Sequence, residues 1–166
     1  MSRSRSPFRA AAAVGRPEGL RYLSFRHTVG GYVVSTGMRR ALIAVVLLHL
    51  GVSIVHGFAH TGAQILLPPA AMLFVYVVIL AGPVAGLVVL RWREPLGAAL
   101  VAAAMIGALV FGVINHFIIP GSDHVAHVAA AWRPLFATTA ALLAIIESGG
   151  AAIALRLALA GTRRAS

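Results

Sequence analysis

The chain of 166 residues contains no cysteine, no lysine and only four acidic side chains, Glu18, Glu94, Asp123 and Glu147. The lack of cysteine excludes disulfides, thiolate metal sites and thiol nucleophiles together. Any metal must then be held by imidazole, carboxylate or thioether. Charged residues make up 11%, about half the share in a soluble domain. No stretch forms a phosphate-cradling glycine loop, a G-x-S-x-G elbow or a paired-carboxylate hydrolase site. The excess is apolar: 60% of the residues are hydrophobic before the 17 glycines are counted. Because this excess comes in long runs, a soluble enzyme, a disordered chain and a nucleic-acid-binding protein are all excluded.

Four runs exceed the ~20 residues that a helix needs to cross ~30 Å of hydrocarbon. They place transmembrane helices at 41–63, 70–90, 96–119 and 134–157. Lipid offers backbone groups no water to bond, so the β-branched run VYVVIL is expected to be helical with the rest. The fold class expected is an all-α integral membrane protein, a four-transmembrane-helix antiparallel bundle occupying residues 41–160. Residues 1–40 read as a basic, partly disordered cytoplasmic arm, and residues 161–166 as a cytoplasmic tail. No apolar stretch directly follows the first basic residues, so the first span is expected to be uncleaved.

All 14 basic residues are arginine, and the net charge is +10. Eight arginines lie in the arm, Arg91 and Arg93 follow the second run, and Arg156, Arg163 and Arg164 close the fourth. The segment after the first run, TGAQILLPPA, carries no charge. The positive-inside rule then puts both termini and the RWREP turn in the cytoplasm of an inner (plasma) membrane. The arm is suited to anionic lipid headgroups. The bilayer is the expected partner, with assembly into a homo-oligomer or a larger membrane complex and no nucleic acid.

Ionisable groups are costly inside a span, and six of the seven histidines lie in or beside the spans. At ~100° per residue, His49, His56 and His60 return to within ~20° of one helix face, and His56 and His60 stand one turn apart, close enough to share an ion. Counting ~1.5 Å per residue, His60 and His116 both reach ~30 Å from the inner ends of their helices. The loop leaving the third span supplies Asp123, His124 and His127. It reads as a short interfacial helix between the third and fourth spans, capped by Ser122 or Asp123, with Trp132 at headgroup level. The expected metal-site residues are therefore His56, His60, His116, Asp123, His124 and His127. His49 and Glu147 form a polar pair at comparable depth nearer the midplane, bonded to each other or transferring a proton.

Imidazoles with at most one carboxylate suit copper, zinc or iron, with redox activity open to the first and last. An oxidase or hydroxylase acting on a lipid-soluble substrate is the enzymatic form of this reading. The alternatives are haem b held by His56 or His60 with His116 in an electron-transfer protein, a proton or metal transport subunit, and a non-catalytic structural subunit whose polar residues only fix helix register.

Overall fold

The computed structural model describes the backbone of residues 18–162 and the side chains of residues 36–161. Residues 1–34 cluster as a separate unit from residues 35–166. The chain is helical from Glu18 onward. The disorder expected of residues 1–17, and the tail at 163–166, lie outside the described residues.

No strand occurs among the described residues, and four helices are long and apolar enough to cross a membrane. Helix α1 is Glu18–Gly62, with its apolar part at Thr36–Gly62; α2 is Pro69–Val89, α3 is Glu94–Ile118 and α4 is Arg133–Thr162. Leu47, Phe58, Leu73 and Ile145 are each more than 60% exposed. Water would not tolerate so much bare apolar surface around a monomer, whereas lipid is its natural cover.

Small residues set how closely the helices approach. Helix α2 lies so near α3 that a Cβ at Gly97 would fall against the Leu90 backbone and within 2.7 Å of the Gly86 carbonyl oxygen. A Cβ at Gly150, on α4, would come within 3.1 Å of Val45 on α1. One core gathers Leu42, Val46, Leu90, Val101, Met105, Ala154 and Leu157. A second, smaller core joins Ala59 near the end of α1, Val128 in the loop after α3 and Phe136 in the first turn of α4, and the polar residues of interest sit between these two cores and beside the second.

Helix α1 ends in a Schellman-type cap, the Ile65 amide donating to the His60 carbonyl at 3.0 Å and the Gln64 amide to Thr61 at 3.1 Å. Gln64 takes the left-handed conformation this cap demands, φ 57°, where glycine is usual. Trp132 then lies over Gly62, where any Cβ would strike its indole.

The segment between α3 and α4 is a run of turns, not the interfacial helix expected. Its backbone groups are committed elsewhere, which denies them to a helical ladder. The Val125 amide donates to the His116 carbonyl at 2.9 Å, and His127 Nδ1 donates to the Gly121 carbonyl at 2.7 Å. Both Arg133 Nε and Nη2 donate to the Val128 carbonyl, at 3.2 and 3.0 Å. The loop is folded back on the end of α3.

The α2–α3 approach yields a direct test. Gly97→Ala should lower stability by about 1–3 kcal/mol through overpacking. Gly51→Ala, where a Cβ meets nothing within 4 Å among the described residues, should be neutral or slightly stabilising. Thermal unfolding of the two variants in detergent separates them, and equal midpoints would contradict the close approach.

Candidate metal centre

Three imidazoles from two helices converge beside the second core. His56 and His60 come from α1, one turn apart on the same face as expected from their spacing, and His116 comes from the end of α3. The α3 ladder widens to π-type geometry over Ile114–Ile118, with the Ile119 amide reaching back to the Ile114 carbonyl at 2.8 Å. Such widenings recur at functional sites, where they re-aim a side chain. Here the re-aimed side chain is His116, which is 6% exposed.

The Nε2 atoms of His60 and His116 each lie 3.2 Å from Nε2 of His56. Hydrogen bonds at the opposite ring nitrogens fix which nitrogen carries the proton. With its proton on the Leu135 carbonyl at 2.7 Å, the Thr139 hydroxyl oxygen accepts from His56 Nδ1–H at 2.8 Å. His116 Nδ1 faces two acceptors, the Asp123 carbonyl at 3.1 Å and its carboxylate Oδ1 at 3.3 Å, so it too carries the proton. In the neutral rings both Nε2 atoms are then bare lone pairs pointing at each other, an arrangement that repels unless a cation sits between them. His60 is held less firmly. Its Nε2 is 3.3 Å from Asp123 Oδ1, and its Nδ1 is buried with no hydrogen-bond partner among the described residues.

Two of the three nitrogen spacings suit a coordination sphere. Two nitrogens each ~2.05 Å from a metal and 3.2 Å apart subtend an angle of about 103°, close to tetrahedral. The three nitrogens all lie within 4.8 Å of one another, so the cluster could hold a metal ion. Phe136, fully buried, packs against all three rings with centroid separations of 4.8, 4.9 and 5.0 Å. It excludes water from one side of the cluster, which strengthens every electrostatic interaction there.

Of the six residues expected at this site, Asp123 joins the three histidines through its carboxylate and its carbonyl. His124 and His127 stand apart from the triad. They face each other on the turn run with ring centroids 5.3 Å apart, His124 accepting the Ala126 amide. The expected helix would have aimed them inward, and the turns that replace it do not.

The second polar level begins with Pro83. Proline has no N–H to offer the carbonyl four residues back, which is Ile79, within the π-type stretch Val75–Ala81 of α2. That carbonyl accepts His49 Nε2–H at 3.0 Å. His49 Nδ1 is thereby left as an acceptor, 3.5 Å from Glu147 Oε1, and two acceptors at that distance need one proton between them. Both side chains are buried, His49 completely.

Sequence reasoning missed Thr139 and Phe136, which orient and dry the triad. The available signal was their i, i+3 spacing on one face of α4, with a hydroxyl in an otherwise apolar run. Comparison with protein-family models, with curated proteins and with solved structures finds no match for this chain.

Thr139→Val keeps the shape of the side chain and removes the acceptor that holds His56 Nδ1–H. Metal affinity measured by chelator competition should fall roughly 10–100-fold, and Thr139→Ser should retain most of it. Equal affinities in all three proteins would contradict the assigned tautomer.

Proposed function

We propose that this protein is a small multi-pass membrane protein that binds one transition-metal ion, copper, zinc or iron, on His56, His60 and His116. The reading rests on one observation above all, the Nε2 atoms of His56 and His116 held 3.2 Å apart while the Nδ1 atom of each ring meets Thr139 or Asp123. Asp123 serves as a hydrogen-bonding partner that balances the charge of the ion, or as a fourth ligand in place of its contact with His60. Three imidazoles leave one or two coordination positions for an outside ligand, the pattern of reactive rather than purely structural sites. Copper and iron would make the centre redox-active.

Haem held between His56 and His116 is disfavoured by the same distance. Two axial histidines of one haem iron stand ~4 Å apart across the macrocycle, each Fe–N being ~2 Å, and no porphyrin plane fits between nitrogens 3.2 Å apart. In the membrane the four helices are read as an antiparallel bundle with the N and C termini cytoplasmic. Arg91, Arg93 and Arg156 at one end support this, and the triad then opens toward the outer face.

Protein purified from membranes without chelator should carry close to one equivalent of metal by elemental analysis, and no Soret band. The His56→Ala, His60→Ala double variant should lose that metal. Wild-type protein free of metal after purification and after incubation with Cu²⁺, Zn²⁺ or Fe²⁺ would overturn the reading.

A further inference from the structure

A cavity of about 910 Å³ lies between α1, α2, α3 and α4 and runs from the triad to Glu147. This is within the ~300–1,000 Å³ that binding pockets for small molecules occupy. Its polar atoms are not scattered. Ser53 lies seven residues before His60, on the same face of α1, and one turn below His56. His60, His56, Ser53 and Glu147 form a polar column along one side. His116, Asp123, Thr61 and Gln64 add polar groups at the triad end, and Tyr76 on α2 faces a lining otherwise built from residues such as Ile79, Phe111 and Leu143. The Ser53 hydroxyl is buried and has no hydrogen-bond partner among the described residues, although a serine in lipid pays heavily for such isolation.

Two further features point to an occupant. Gly57, beside His56, lines the cavity, and a Cβ there would meet nothing within 4 Å among the described residues. The α1 surface next to His56 is therefore uncovered where Gly57 meets the cavity. On the α1–α2 side the cavity wall is made of Ile54, Phe58, Leu66 and Tyr76, all more than half exposed, so the cavity opens sideways onto lipid and not only toward water.

We infer that the cavity binds a lipid-soluble amphiphile taken from the bilayer, with an oxygen of its head on the open position of the metal, a second oxygen at Ser53 and its apolar tail leaving between α1 and α2. This rests on the metal reading above and names the class of molecule that shares the site. The three neutral imidazoles and Asp123 leave a divalent ion with one uncompensated positive charge. The head is accordingly a hard oxygen donor, neutral or anionic, such as a hydroxyl, carbonyl or carboxylate.

The test uses the full chain in nanodiscs, loaded with paramagnetic Co²⁺ or diamagnetic Zn²⁺, with metal content measured on each sample. The probe is stearic acid carrying a spin label near its carboxyl end or near its methyl end. Wild-type protein should show an immobilised component that Co²⁺ broadens and Zn²⁺ does not, more strongly for the carboxyl-end label. Gly57→Phe, and the milder Gly57→Leu, should abolish that component while retaining the metal. Ser53→Ala should weaken probe binding about 5-fold, the worth of one hydrogen bond. Metal-loaded protein whose probe signal is insensitive to Co²⁺, or unchanged in both Gly57 variants, would mean ordinary boundary lipid and overturn the inference while leaving the metal site standing. Absence of metal from wild type would overturn both.

Discussion

An imidazole buried in hydrocarbon is costly unless its nitrogens meet partners, and the rest of this site follows from how His56 and His116 meet theirs while His60 Nδ1 finds none among the described residues. His56 gives its Nδ1 proton to Thr139 and His116 gives its own to Asp123, which commits the two Nε2 lone pairs to each other. Lone pairs 3.2 Å apart in a medium without water have nothing to screen them, and a positive charge between them would relieve the repulsion. The supporting contacts come from α4 and from the loop after α3, elements that contribute no ring of their own. Their role is to hold each ligand in one tautomer and one orientation, as outer-shell partners of metal-binding histidines do.

The loop is the element whose fold matters most to this arrangement. As a helix it would have carried His124 and His127 on one face toward the triad. Folded as turns around the His116 carbonyl and Nδ1, it brings instead the backbone and carboxylate of Asp123. The exchange substitutes an anion and a carbonyl for two more imidazoles, and leaves the cluster at three imidazoles. A similar economy appears at Pro83, whose missing N–H leaves the Ile79 carbonyl to His49, which in turn presents an acceptor to Glu147. A residue of one helix that lacks an N–H thus bears on how two side chains of other helices face each other.

The four spans were legible because lipid imposes a single requirement, an apolar helix of sufficient length, that shows in any window of the sequence. The pairing of His56 with His60 was legible because helical periodicity is local. The addition of His116 needed only the count of rises along two helices. Legibility ended where contacts depend on tertiary detail. Thr139 reads as one more small residue in an apolar run until its hydroxyl is seen against His56. The loop's propensity for a capped helix lost to hydrogen bonds from residues outside it, as local preference does when tertiary partners compete. The cavity was invisible, since it consists of what several helices fail to fill.

X-ray absorption at the edge of the bound metal bears most directly on the central claim. The account predicts a first shell containing three imidazole nitrogens at ~2.0–2.1 Å, with the outer-shell scattering characteristic of histidine rings, reduced to two in His116→Ala. A first shell made only of oxygen, or containing a single imidazole, would contradict it.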